Sequence, residues 1–240
     1  MRAAARRLHT WCAALAFGAA ILAVAPTAAR SGTLDYTLGG VSYRVPVVSL
    51  REARFQTIIL QKYDYSCGSA ALASLLTFHY GRPTTEEEVF KAMFSAGDQE
   101  KIRREGFSLL DMKSYLGQVG LVADGFKVTL DRLAQLGVPV ITLINTGGYR
   151  HFVIIKGMDK DEIVLGDPAQ GVLVAKKTQF QAVWSGIALI IRNEASRGKQ
   201  NFNLAQDWRV RQKAPFGTAL TRDSLADFTL LNSFEPNRLF

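Results

Sequence analysis

Residues 64–80 read Asp64-Tyr65-Ser66-Cys67-Gly68-Ser69-Ala70-Ala71-Leu72-Ala73-Ser74-Leu75-Leu76-Thr77-Phe78-His79-Tyr80, a loop that turns into a helix at about Cys67. Leu72, Leu75, Leu76 and Phe78 carry the helical spacing, and Gly81-Arg82-Pro83 ends it. Free N–H groups and the positive dipole end at such a helix start favour a thiolate over a thiol, so Cys67 is expected to have a lowered pKa and to serve as a nucleophile. Gly68 leaves room for a substrate backbone beside the sulfur. The bland alternative is a buried cysteine acting as a small hydrophobe, and its neighbours must decide.

Working outward, the alternation of Leu34, Tyr36 and Leu38 before Gly39-Gly40 and of Val41, Tyr43 and Val45 after it predicts a β-hairpin or extended arm over residues 30–55. On the other side, Thr85 and Glu88 form a capping box that opens a second helix running through Phe94. A third is predicted over Ser108–Leu116. Short β-rich runs follow at Val138–Ile144, Phe152–Gly157, Ile163–Leu165, Val172–Ala175 and Ile187–Ile191. Helices followed by antiparallel strands define an α+β fold over residues 56–194. Residues 195–240 show no firm period, and the sequence assigns them no role.

A thiol nucleophile needs a base, and only His79 and His151 follow the N-terminal segment discussed below. His79 lies twelve residues along the helix from Cys67, roughly 18 Å away, so it is a structural helix-end residue suited to partial positive charge. His151, at the head of the run Phe152-Val153-Ile154-Ile155, is left as general base. A hairpin centred near Asp159 would set His151 opposite Asp167, whose carboxylate could fix the imidazole tautomer. Gln61, six residues before Cys67, offers a side-chain N–H₂ that could join the Cys67 backbone N–H in binding an oxyanion.

The pieces Gln61-x5-Cys67-Gly68, Ser69-Ala70-Ala71-Leu72, His151-Phe152-Val153 and Asp167-Pro168 resemble, in that order, the C39 peptidases. These are papain-like cysteine proteases that cut leader peptides from bacteriocin precursors. The resemblance covers about residues 56–192. It implies a papain-like α+β fold with N-terminal helices packed on a C-terminal antiparallel sheet. It further implies Cys67 as nucleophile, His151 as base and acid, Asp167 as orienting group, Gln61 as oxyanion donor, and cleavage after a double glycine. No cofactor is implied.

Composition and export signals narrow the setting. The 240 residues are 48% hydrophobic and 21% charged, which suits one globular domain with appendages. Arg2, Arg6 and Arg7 precede an apolar run from Trp11 to Val24 and small residues at Thr27–Ala29, the pattern of a secretory signal peptide over residues 1–29, expected to be cut after Ala29. The alternative is retention as an anchor. Cleavage would remove Cys12 and three arginines, leaving a formal charge of +5 and Cys67 as the lone thiol of a periplasmic protein. No basic cluster interleaved with aromatics points to nucleic acid. One cysteine and two separated histidines give no zinc-ligand spacing.

Many C39 relatives are the first domain of an ABC exporter, whereas this chain shows neither membrane helices nor a nucleotide-binding domain, so ATP is not implied. It is more similar to stand-alone members, including one associated with functional-amyloid secretion. The expected partners are a peptide or protein substrate and a secretion-system or outer-membrane export component. Two alternatives stand beside peptidolysis: a non-catalytic peptide-binding or chaperone module, and another acyl transfer on the same triad.

Overall fold

In a computed structural model of the chain, residues 32–38 and 41–211 are described. The signal-peptide reading of residues 1–29, the Gly39-Gly40 turn and the chain from residue 212 onward lie outside them. Contacts divide the chain into two units that meet at Val47–Val48. In the first, β1 (Gly32–Leu38) pairs antiparallel with β2 (Val41–Val47), Leu38 opposite Val41, as the alternation predicts. Asp35 faces Arg44 across the pair and accepts from its Nε at 2.9 Å.

The second unit begins with a short helix, α1 (Leu50–Arg54), held by a capping box between Ser49 and Glu52. Next comes α2 (Cys67–Ser74), every residue of which is buried, widening into a π-turn over Leu75–His79. Helix α3 (Glu86–Ala96) starts where the Thr85–Glu88 capping box places it, with Glu88 N–H donating to Thr85 Oγ1 at 3.2 Å. The helices α4 (Gln99–Glu105) and α5 (Leu109–Gln118) follow, the latter capped by Ser108 and Asp111. Then come β3 (Ala123–Lys127), α6 (Leu130–Leu136), β4 (Val140–Thr146), β5 (Tyr149–Met158), β6 (Glu162–Asp167), β7 (Gly171–Lys176), α7 (Lys177–Val183) and β8 (Trp184–Ile191).

Six of these strands form an antiparallel sheet in the order β3-β8-β4-β5-β6-β7. Alternation along β5 sends Phe152 and Ile154 into a core with α2, α3 and α5, and Val153 and Ile155 into a second core with α6 and α7. Covering both faces explains why β5 reads as a continuous apolar run. The result is the α+β arrangement of helices on an antiparallel sheet that the element order predicts.

Residues 195–211 also pack on this unit, through α8 (Ala195–Gln200) and α9 (Ala205–Trp208). A β-bulge in β5 leaves Lys156 unpaired between Ile155, opposite Leu165, and Gly157, opposite Val164. The freed Lys156 carbonyl accepts Asn203 N–H at 2.8 Å. Gly157 is required there, because a Cβ would stand 2.8 Å from Asn203 Cα. The Lys156 ammonium, fully buried, donates to Asp207 Oδ1 at 2.7 Å and to the Thr57 carbonyl at 3.0 Å. Burial pulls the Lys156 pKa below the usual lysine value, and Asp207 opposes that.

His79 differs from its expected charge state. It is buried, and Nδ1–H donates to the Asn201 carbonyl at 2.7 Å. Burial, with Lys156 adding to it, lowers its pKa from 6.5 to about 4, so the imidazole is neutral at pH 7 despite its place at a helix end.

Two outcomes follow from these buried groups. Asp207→Ala should destabilise the protein by about 3–5 kcal/mol in urea unfolding by stranding the Lys156 charge. The Lys156→Met/Asp207→Leu pair should recover most of that loss, and an unchanged midpoint in Asp207→Ala would rule the account out. His79 contributes stability that is complete above pH 6.5 and is lost as pH falls toward 4, at up to about 1.4 kcal/mol per pH unit. His79→Gln should flatten that slope, and an identical slope in the variant would contradict the assignment.

Candidate active site

Cys67 is the first residue of α2, and its side chain is buried against the sheet at the head of β5. The helix meets the strand closely. A Cβ on Gly68 would come within 2.8 Å of the Met112 methyl and 3.1 Å of Phe107 Cβ, so packing as well as access favours glycine next to the nucleophile candidate. The thiol departs from the expected lowered pKa. Burial pushes it up and the Asp167 carboxylate adds to that, outweighing N–H donation from Phe152, Gly68 and Cys67 itself. The helix start therefore does not by itself make a thiolate here, because a charge withdrawn from water loses more than the few aligned amides return.

The sulfur belongs to the lining of the same cleft as Phe152, the residue immediately after His151 in the chain. His151 is buried, and its Nε2 lies 3.0 Å from Asp167 Oδ2. Its Nδ1 is buried and has no hydrogen-bond partner, Cys67 included. With Nε2–H donating to the carboxylate, Nδ1 carries the lone pair and is the nitrogen free to take a proton. Asp167 is fixed in turn by Ala169 N–H, which donates to Oδ1 at 2.8 Å, and by the Gln170 amide, which donates to Oδ2 at 3.4 Å.

His151 and Asp167 meet, but not by the register expected. The hairpin is centred near Lys160–Asp161, not Asp159, since Met158 faces Ile163. Continued without interruption, that register would pair Asp167 with Ile154, on the opposite face from His151. The bulge at Lys156 shifts it so that Ile154 faces Gly166, and the next step sets Asp167 across from Val153, two residues from His151 and on its face. The pair is diagonal, and the bulge creates it.

Gln61 is tied by its backbone to the Asp167 turn, and its side chain turns back on its own loop. Its backbone N–H donates to the Pro168 carbonyl at 3.0 Å, tying it to the Asp167 turn, while its side-chain Nε2 donates to Tyr63 O at 3.0 Å. One amide proton remains for an oxyanion. A cleft of about 670 Å³ opens at Cys67, walled by Phe107, Leu109, Leu143, Tyr149 and Phe152. Tyr149 went unrecognised in the sequence. Its ring lies 5.2 Å from the His151 ring, and its hydroxyl donates to Asp64 O at 3.4 Å, across the cleft mouth. Period-two alternation, which puts Tyr149 and His151 on one strand face, was the available signal. Among the described residues no group of three or more His, Cys, Asp or Glu is placed to hold a metal ion.

The model of the Peptidase C39 family matches residues 56–196. A Pseudomonas fluorescens protein named "Probable functional amyloid protease FapD" is 38% identical over 174 residues, 72% of this chain and 77% of that protein. Its namesake in Pseudomonas aeruginosa is 40% identical over 153 residues, 64% of this chain and 67% of that one. The peptidase domain of Streptococcus ComA, a bi-functional ABC transporter involved in a quorum sensing pathway, is similar in structure with a TM-score of 0.49 and 21% identity, over 56% of this chain and 96% of that domain. With the family model spanning the whole Cys67-to-Asp167 region and a relative aligned over most of the chain, this protein belongs to the peptidase C39 family and is a cysteine peptidase.

Proposed function

We propose that the protein is a periplasmic endopeptidase that cuts an exported protein or a secretion-system component after a Gly-Gly leader-type site, through an acyl-enzyme on Cys67. The observation that carries this reading is the His151–Asp167 hydrogen bond of 3.0 Å, which leaves a buried, unpartnered Nδ1 on the residue next to Phe152, which lines the cleft at Cys67. The basic and apolar N-terminal residues support export. The relatives named as functional amyloid proteases support an exported substrate. Bulky walls at Leu143, Tyr149 and Phe152 suit small residues at the cut bond.

In the proposed reaction, Nδ1 takes the Cys67 proton as sulfur attacks the carbonyl carbon. The Cys67 N–H and the free Gln61 amide proton stabilise the oxyanion. The imidazolium then protonates the leaving amine, and water, deprotonated by Nδ1, hydrolyses the thioester. Asp167 holds the tautomer and steadies the imidazolium. Because burial disfavours the thiolate, the proton moves during attack and no standing ion pair is needed.

Three measurements test this. An internally quenched peptide with a central Gly-Gly should be cut by the wild type and left intact by Cys67→Ala, and cleavage by that variant would end the peptidase assignment to this thiol. If Cys67→Ala also supported secretion in full, the binding-module reading would replace it. Asp167→Asn should lower kcat on the order of 10²–10⁴-fold, since it offers no carboxylate to the Nε2–H tautomer. In His151→Ala, iodoacetamide alkylation of Cys67 should reach half its maximal rate at a pH above the ordinary cysteine value of about 8.5, because a raised pKa leaves little thiolate at neutral pH. A half-rise below that value would mean that the helix start, not the base, activates the sulfur.

A further inference from the structure

We propose that Glu86 is a positioning residue for the oxyanion donors, fixing the loop from Gln61 to Cys67 by holding it near both ends. The inference rests on the role proposed for Gln61 above. Glu86, the first residue of α3, is 4% exposed. Its Oε1 accepts the Lys62 N–H at 3.1 Å, one residue after Gln61, and lies 2.5 Å from the Ser66 hydroxyl, one residue before Cys67. Between those two points Lys62, Tyr63, Asp64 and Tyr65 are all exposed, with the Tyr63 and Tyr65 rings against Phe90 of the same helix.

The link continues to the amide itself. Ser66 Oγ accepts the Tyr63 N–H at 3.1 Å, and the Ser66 N–H donates to Tyr63 O at 3.1 Å. Tyr63 O is also the acceptor that aims the Gln61 side chain, at 3.0 Å. A chain of contacts therefore runs from Glu86 through Ser66 and Tyr63 O to Gln61 Nε2, while Ser66 O accepts the Ala70 N–H at 3.0 Å and starts α2 beneath Cys67. Pro168 O holds the far side of Gln61, so the loop is pinned between the Asp167 turn and α3.

Stability alone gives little reason for a carboxylate here. Glu86 Oε2 is buried without a hydrogen-bond partner, a costly state that the α3 N-terminal dipole only partly offsets. The carboxyl is retained where its other oxygen bridges two points of the loop that carries the proposed oxyanion donors. Two donors six residues apart must converge on one oxygen, and misplacing either by an ångström is enough to lose much of the stabilisation.

The test separates acyl transfer, which needs the oxyanion donors, from alkylation, which needs only the sulfur. With the quenched Gly-Gly peptide, Glu86→Ala should lower kcat about 10–100-fold, the usual range for a supporting hydrogen bond, with KM within about twofold. Iodoacetamide should alkylate Cys67 at the wild-type rate, and Glu86→Gln, whose amide oxygen can still accept from both partners, should restore most of kcat. Ser66→Ala, which removes the hydroxyl's links to Glu86 and to the Tyr63 N–H, should show the same split and serves if Glu86→Ala does not fold. The proposal falls if both variants keep wild-type kcat, if alkylation slows as much as cleavage, or if Glu86→Gln is as impaired as Glu86→Ala. Gln61→Ala distinguishes the two levels. If it keeps wild-type kcat, the oxyanion role of Gln61 itself fails, and if it is impaired while Glu86→Ala is not, only the positioning role does.

Discussion

The bulge at Lys156 is the constraint on which the rest of the site depends. One extra residue in β5 decides which face of the sheet Asp167 occupies relative to His151, and a side-chain period of two admits no intermediate answer. A bulge is locally unfavourable, because it leaves a residue out of the ladder. Here the carbonyl and the side chain of the bulged residue are both used. The carbonyl of Lys156 receives Asn203 N–H, and its ammonium is buried on Asp207 and Thr57. The segment after β8 is therefore part of what holds the register, and Thr57 connects that anchor to the strand of chain leading to Gln61.

Seen this way, the interior of the domain has two kinds of glue. Apolar packing on both faces of the sheet supplies most of the burial, through side chains such as Ile154 and Leu72 on one side and Ile155 and Phe180 on the other. It does not specify register, since a slipped apolar strand is still apolar on both faces. Buried polar contacts do: Lys156 with Asp207, His79 with Asn201, Thr142 with the Trp184 indole at 2.5 Å. Each fixes one alignment and penalises its neighbours, which is the role a buried ion pair best performs.

That division explains what could be read from the chain. The helix at Cys67, the capped start of α3 and the β-rich second half follow from periodicity and capping, which are local. Excluding His79 on distance points to His151 as the candidate base, and counting residues in a hairpin points to Asp167 as its partner. The count had the wrong centre, yet the parity survived because the turn and the bulge each shift the register and together preserve it. The strand β3, Ala123-Asp124-Gly125-Phe126-Lys127, was missed because it is an edge strand whose composition opposes a strand assignment. The packed part of the C-terminal segment was illegible for another reason: single polar contacts fasten it, and they leave no period. Glu86 carries no local signal, since its partners lie twenty or more residues away.

The thiol shows where local reading fails in sign as well as in detail. A helix N-terminus lowers a cysteine pKa where the sulfur stays in water, but burial at the β5 junction reverses the outcome, and the Asp167 carboxylate that orients His151 also opposes a thiolate. One residue thus favours charge on the proposed base and disfavours it on the proposed nucleophile. The conflict resolves if charge forms on sulfur only as the proton reaches Nδ1, because an imidazolium beside Asp167 then turns the same carboxylate from a penalty into a stabiliser. Two of the buried atoms without partners, His151 Nδ1 and Glu86 Oε2 behind the loop, sit at the places where that transfer and its oxyanion would be managed.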